Sequence, residues 1–399
     1  MTPLLLLCAL KTGPKFVVEL PEAGPVVVVE ALVPAPPDMG DREQAAWNVM
    51  ADALYDGTAE FSRDRLREYA SQAGVPLTIE AFPDFIKVQI TEPKGGLKVA
   101  SQILESLVLR ASLTDEAIKE SWTRLKSRRM GDWEQALLDF DLPYSQVTAD
   151  NVRNVYDQAF RPDNIVFVFA GDLVAGEGQA QVDERFKGIL APTPRRIRFD
   201  RLPRTWVKHS GRVSTFEWRG RPLSVGKVDD LSTVLAVFAL GVGKEGAMHR
   251  VLREKLGWTY RQEAVLWPSL KGWVPRLIFA KESTEADPEL ANQALEQLKS
   301  DVATWSDATL KRAKAMLKTS MTGDNPLCPF WTGLSGPFEP NLQDRASLAG
   351  INALCSGSPM DVADMVSRAD AVTLAELKAA ALKNLEESQA SVIPGRVER

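Results

Sequence analysis

The chain has 399 residues, too many for one ordinary core and enough for two domains of about 200 residues each. At 45% apolar, 25% charged and a net charge of −5, its composition is that of a globular chain and gives no footing for nucleic acid. Cys8, Cys328 and Cys355 are odd in number and widely spaced, which speaks against a disulfide framework or a cysteine metal motif.

In chain order, Pro3–Leu10 (PLLLLCAL) is apolar but too short to span a bilayer. It lacks the basic flank and cleavage site of a signal peptide, and a first strand or the remnant of a mis-assigned start fits it as well. No later segment reads as a membrane span. A cytoplasmic location is favoured, with export left open.

Lys15–Glu19 and Pro25–Leu32 are β-rich runs on either side of Pro21–Gly24, a hairpin signal. Asp41–Tyr55 repeats small and apolar residues at i, i+4 spacing, which predicts a helix. Ser62–Ala73 is a second helix with Ser62 as N-cap. Leu77–Phe82 and Phe85–Ile90 form a predicted antiparallel pair, and Gly95–Leu109 and Thr114–Met130 are predicted helices. The proline-rich run Ala191–Arg204 (APTPRRIRFDRLPR) reads as a solvated connector, because three prolines deny backbone donors. In the second half, Arg212–Trp218 and Pro222–Val228 are predicted strands, and Leu231–Leu240 and Ala247–Lys255 predicted helices. Thr259–Trp267 pairs with Trp273–Ala280, and Asp287–Trp305 and Asp307–Thr322 are long helices. Gly323–Pro340, holding Trp331 and Phe338, reads as irregular, a candidate mobile loop.

Two stretches echo one another. Val147–Asp172 and Val372–Gly395 each open on Val-Thr, run through a helix and a polar turn, and enter an apolar strand ending at or near glycine. More than half the chain separates them, far beyond the roughly 20–50 residues of a solenoid repeat. The expected fold class is therefore α+β: two tandem homologous domains, each an antiparallel-rich sheet with packed helices. The expected boundaries are 1–190, a linker at 191–211, and 212–399.

Three local patterns carry a resemblance. They are Arg161–Asp172 (RPDNIVFVFAGD) after Val147-Thr148, Leu252–Tyr260 (LREKLGWTY), and Asp56-Gly57-Thr58 closing the first long helix. Together they resemble the pitrilysin/insulinase-type zinc metallopeptidases, most of all mitochondrial processing peptidase and its short bacterial relatives. The resemblance implies two similar α+β domains, and a dimer of such chains enclosing a peptide chamber.

In that family a helical His-x-x-Glu-His motif binds zinc, with the Glu as general base. Counted back from Gly57-Thr58, the motif falls on Asn48–Asp52 (NVMAD). Asn48 and Asp52 stand where the histidines would be, and Ala51 stands where the Glu would be. The third ligand would come near the end of the Thr114–Met130 helix, where this chain has Lys126, Ser127, Arg128 and Arg129. Its only histidines are His209 and His249, both beyond the first domain. No catalytic zinc and no other cofactor is expected. Asn48, Asp52 and Asp56 line one helix face, which could offer oxygen ligands to a hard cation but reads more simply as a hydrogen-bonded polar face.

In active relatives, an Arg and a Tyr seven positions later reach the scissile peptide bond. Arg253 and Tyr260 match that pair in type and spacing. A tyrosine hydroxyl can donate to a developing oxyanion, and arginine offers a rigid fork of donors. A surface ion pair and a packed strand residue are the simpler reading. Trp258, Trp267 and Trp273 cluster near this pair, either lining a peptide groove or filling the core.

The resemblance implies an inactive-alone, zinc-free subunit that closes the chamber, grips an extended peptide and supplies Arg253 and Tyr260 to a zinc-bearing homologous partner. The alternatives are a scaffold subunit, like the core proteins of a respiratory-chain complex, and a stand-alone peptide-binding homodimer.

Overall fold

The computed structural model describes residues 16–37, 39–71, 77–127, 144–186, 213–223, 228–282, 288–322, 328–334, 338–357, 359 and 362–393. The apolar Pro3–Leu10 segment, the connector at 191–211, His209 and the Arg128-Arg129 pair lie outside them. The fold is mixed α and β, and the chain divides into two compact units.

The first unit holds a five-stranded sheet of β1 (Phe16–Pro21), β2 (Val26–Pro34), β3 (Leu77–Ala81), β4 (Phe85–Pro93) and β5 (Val166–Gly171), in the order β1-β5-β2-β4-β3. The hairpin expected around Pro21–Gly24 does not form. β5 inserts between β1 and β2, parallel to the first and antiparallel to the second. All six residues of β5 (VFVFAG) are buried. Such a strand needs a partner on each side, and β1 supplies the second.

Successive strand residues point to opposite faces, and here the faces differ in kind. Val29, Ala31, Val33, Ile86, Val88, Ile90, Phe167 and Phe169 form the main core. Against it lie α1 (Asp41–Ala53), α2 (Arg63–Ser71), α3 (Leu97–Leu109), α4 (Asp115–Ser127), α5 (Ala149–Ala159) and α6 (Glu177–Phe186). The Trp47 indole anchors α1 by donating to the Phe82 carbonyl at 2.9 Å. The opposite face carries Glu30, Lys87 and Gln89, all buried.

That polar face is covered by Leu342–Ser356, here called α10. A division by chain order ends the first domain at residue 190, yet Asn341–Pro359 belongs to the first unit. The side chain of Asn341 caps α10 by accepting from the Asp344 amide at 2.8 Å. Gly350 lets the helix come close to the sheet. A Cβ there would lie 2.7 Å from both Leu32 Cδ1 and Val168 Cγ2, below any ordinary contact. Gly350→Ala therefore overpacks this seat and is expected to destabilise the protein by about 1–3 kcal/mol. Chemical denaturation checks this, and an unchanged midpoint would mean the helix is not seated so tightly.

The second unit holds β6 (Val213–Arg219), β7 (Arg261–Ser269), β8 (Gly272–Glu282) and β9 (Gln389–Ile393), ordered β7-β8-β6-β9 and all antiparallel. Its helices are α7 (Val228–Gly241), α8 (Pro288–Ala303), α9 (Asp307–Thr322), α11 (Val362–Ala369) and α12 (Leu374–Glu387). Most of the strand expected at Pro222–Val228 lies outside the described residues: Leu223 makes an isolated bridge to Trp273, and Val228 begins α7.

The two echoes are built alike. Thr148 and Thr373 each cap a helix through a reciprocal box, with Asn151 and Glu376 respectively, satisfying amide groups the helix leaves unpaired. Each helix then feeds a strand, β5 or β9, that pairs antiparallel with the equivalent strand, β2 or β6. Read from those strands outward, both sheets run in the same order.

The described part of Gly323–Pro340 is core rather than an open loop. Phe330, Thr332 and Phe338 are fully or almost fully buried and Trp331 is buried too. Phe330 forms a parallel bridge with Leu266 of β7: the Leu266 amide donates to the Pro329 carbonyl at 2.6 Å, and its carbonyl accepts from the Trp331 amide at 3.1 Å. An apolar sheet edge gives these aromatic residues a surface to bury against.

Candidate functional site

The helix face that carries Asn48, Asp52 and Asp56 is closed by arginines. Ala51 is buried in the core. The Asn48 amide donates to the Tyr144 hydroxyl at 3.2 Å. Asp52 accepts from Arg124 of α4, with Nε at 2.8 Å and Nη2 at 2.6 Å. The side chain of Asp56 is 1% exposed. It receives Arg67, Arg63 at 3.2 Å, Arg124 at 3.0 Å and the Ser121 hydroxyl at 3.4 Å. Arg63 also pairs with Glu120.

Arg124 is the residue that inspection of positions 126–129 overlooks. It lies on α4 one turn after Glu120, and that spacing is the only sequence signal for it. Its guanidinium bridges Asp52 and Asp56, one turn apart on α1 and its short extension. Burial alone would weaken its charge, but the two carboxylates more than compensate and hold its pKa above the ordinary arginine value. A fixed cation thus neutralises the two acids that could otherwise have served as oxygen ligands. Among the described residues, no three His, Cys, Asp or Glu side chains converge as a metal site. The face as built can hold its own shape but offers neither a general base at Ala51 nor an open cation position.

The second unit places Arg253 and Tyr260 together. His249–Lys255 forms a wide helical turn in which the Leu256 amide reaches the Val251 carbonyl at 2.9 Å and the Trp258 amide the Leu252 carbonyl at 2.8 Å. The first of these bonds spans five residues and the second six, a widening of the helix that recurs at functional sites. Gly257, at φ +63°, ends the turn in the left-handed region that glycine adopts without strain. Buried Thr259 then exchanges two 2.9 Å hydrogen bonds with the backbone of Arg261, bending the chain at Tyr260. The Tyr260 side chain is 84% exposed, high for so large an apolar ring. The Arg253 guanidinium stacks over it, 4.6 Å from the ring centroid, within cation–π range. The geometry leaves the Tyr260 hydroxyl and the outer Arg253 donors facing water.

Of the three nearby tryptophans, Trp267 and Trp273 are buried and belong to the core, because both lie in the β7/β8 pair over Trp331 and Phe330. Only Trp258 reaches the surface. It lines an open cleft of about 320 Å³ with Leu256, Asn292, Gln293 and Gln297. His249 is buried beneath the same turn, its Nδ1 3.5 Å from Glu254.

The sheet edges also differ. Leu266 on the outer strand β7 is already bridged by the chain at Phe330. On β3, the outer strand of the first sheet, the Ile79 amide donates to the Tyr55 hydroxyl at 2.6 Å instead of to a strand. No described helix is long and apolar enough to cross a membrane.

Known proteins share the fold. Residues 146–317 match the sequence profile of the family described as Peptidase M16 inactive domain. No curated protein matches the chain by sequence. Among solved structures, the chain is similar to a peptidase M16 inactive domain from Pseudomonas fluorescens, with TM-score 0.75, 13% identity, and 99% of this chain and 98% of that one covered. It is also similar to a protease from Helicobacter pylori, with TM-score 0.73, 13% identity, and 98% and 99% covered. A conserved protein from Enterococcus faecalis V583 has TM-score 0.65, 11% identity, and 98% and 99% covered. At these identities the likeness establishes the fold.

Proposed function

We propose that the chain is a zinc-free subunit of the peptidase M16 type, inactive alone, that binds extended peptide and lends Arg253 and Tyr260 to the active site of a zinc-bearing homologous partner. The observation that carries this reading is the exposed Arg253–Tyr260 stack. The ring is 84% exposed and is held under Arg253 by a bent strand entry and a widened helical turn, so its phenol stands free to donate to a ligand. The match of residues 146–317 to an inactive-domain family and the arginine-closed face at Asp52 and Asp56 support the division of labour. This unit presents donors; a partner would bring metal and base.

The chemistry is that of transition-state stabilisation. A phenol donor aimed at the oxygen that gains charge favours the tetrahedral intermediate, and a guanidinium fork orients neighbouring carbonyls. Extended peptides bind sheet edges through backbone hydrogen bonds.

The test is reconstitution. A zinc-bearing homologue with an intact His-x-x-Glu-His motif, encoded in the same genome, is mixed with this chain and given a quenched fluorescent peptide. Cleavage is expected from the mixture and not from this chain alone. Cleavage by this chain alone, or a mixture no faster than the partner by itself, overturns the proposal. A mixture that forms a stable complex while the partner's rate stays unchanged favours a scaffold subunit.

A further inference from the structure

Glu30 sits at the middle of β2 with its side chain wholly buried, on the sheet face that α10 covers. Its Oε2 accepts two hydrogen bonds, from Gln89 Nε2 at 2.8 Å and from Ser347 Oγ of α10 at 2.7 Å. Gln89 also reaches the Gln343 carbonyl at 3.2 Å and Ser347 Oγ at 3.1 Å, so sheet and helix share one small polar network. Oε1, by contrast, has no hydrogen-bond partner. It lies against Gly350, where an added Cβ would sit 3.4 Å away.

The equivalent strand of the second sheet carries a buried carboxylate in direct contact with cations. Glu217 on β6 is also fully buried, but it is paired with Arg276 of β8 and with Arg219 at 2.9 Å. Glu30 has no such cation in contact. The nearest, Lys87 of β4, lies 2.7 Å from Glu80 of β3. From β5, Glu30 meets only Val168 across the ladder. On α10, Arg345 is paired with Glu22 at 2.6 Å and Asp344 is engaged at the helix cap. No charged group of the helix approaches Glu30.

We propose that Glu30 is a proton-operated latch for α10: the helix docks on the first sheet with Glu30 as the neutral acid, and loss of that proton loosens it. The geometry suits the neutral form. A protonated carboxyl keeps one carbonyl oxygen, Oε2, to accept both donors, while the proton resides on the unpartnered Oε1. An ionised carboxyl would place a charge on an oxygen that nothing solvates. Burial is also the largest influence on its acidity; it outweighs Lys87, Ser347 and Gln89 and pushes the Glu30 pKa from 4.5 up to about 7.

The sign follows from linkage. A carboxyl whose pKa is raised in the docked state holds a proton that the undocked state gives up. Docking is therefore strongest below about pH 4.5, weakens as pH climbs to about 7, and changes little above that. Within this window the opening equilibrium of α10 grows roughly ten-fold per pH unit.

The experiment is hydrogen exchange of the full chain by mass spectrometry between pH 5 and 8, corrected for intrinsic amide rates. Peptides from Leu342–Ser356 report the latch and peptides from α8 in the second unit serve as control. In the wild type, opening of α10 should rise about ten-fold per pH unit up to pH 7 and then level off, while α8 stays flat. Glu30→Gln keeps the shape and the acceptor but cannot ionise, so its α10 should be protected at every pH. Ser347→Ala removes a donor that favours the charged form, and its transition should move to higher pH. It serves as the second arm if Glu30→Gln folds poorly. Protection of α10 that does not depend on pH in the wild type overturns the proposal. So does a pH dependence left unmoved by both variants.

Discussion

Replacing Tyr260 by Phe in the reconstituted mixture lowers kcat by about 10²–10³ and leaves KM nearly unchanged, the size expected when one oxyanion donor is lost. The substitution removes a single oxygen. The ring remains, so the stacking under Arg253, at 4.6 Å, survives and the local fold is preserved. A group that acts only in the transition state should move kcat and kcat/KM together. Arg253→Ala is expected to act on binding as well, raising KM, because it removes a donor fork from the ground state too. It also frees the Tyr260 ring, so the two effects should not add; a double-mutant cycle should show a coupling of about 0.5–1 kcal/mol. Arg253→Lys restores charge but not the planar fork and should rescue only in part. Steady-state rates with a fixed excess of this chain decide the matter. If Tyr260→Phe cleaves as fast as the wild type, the exposed tyrosine has no catalytic part and the scaffold reading takes its place.

Asp56→Ala is expected to cost about 2–4 kcal/mol of stability. The Asp56 side chain is 1% exposed, yet three arginines and a serine hydroxyl converge on it. Removing the shared acceptor strips Arg67 of this partner and leaves Arg63 with Glu120 and Arg124 with Asp52, and breaking a buried ion pair from one side is the costly way to break it. The arginines are each about one-third exposed and can turn toward water, which keeps the loss below the largest values seen for enclosed pairs. Asp56→Asn keeps the volume and one acceptor and should lose less. Chemical denaturation, with hydrogen exchange read over Asp41–Ala53, measures both. A loss below about 0.5 kcal/mol for Asp56→Ala would show that the cluster decorates the surface rather than closing it.

Much of this construction is legible in the sequence where local rules govern. The echo at Val147 and Val372 is one such place. Val-Thr followed three residues later by Asn151 or Glu376 is a capping signature, and the structure shows both boxes. The β7/β8 pair, the long helices α8 and α9, and the stop at Gly257 follow likewise from periodicity and turn chemistry. The match of Arg253 with Tyr260 rests on spacing, and the structure brings the two side chains into contact.

What could not be read depends on partners distant in the chain. Nothing near Pro21 says that β1 will pair with β5, nor that the aromatic residues after Cys328 will cap the β7 edge. Arg124 was invisible for a subtler reason. A ligand position points to itself by type, whereas a residue that replaces a metal's charge can sit one helical turn away and still reach the same carboxylates. The Trp267 and Trp273 side chains illustrate the reverse case, where an aromatic cluster that suggests a groove is spent on the core.

The seating of Leu342–Ser356 on the first sheet has a consequence for how this protein is made. Domains usually fold in order as they leave the ribosome. Here the first sheet cannot cover its polar face until residue 356 has emerged, long after its last strand, Val166–Gly171. Until then Glu30, Gln89 and the apolar Leu32 and Val168 beside them remain open to water. Glu30, ionised while it waits, should keep that bare surface from sticking to its neighbours. Its later neutralisation would then mark the arrival of α10 on the sheet.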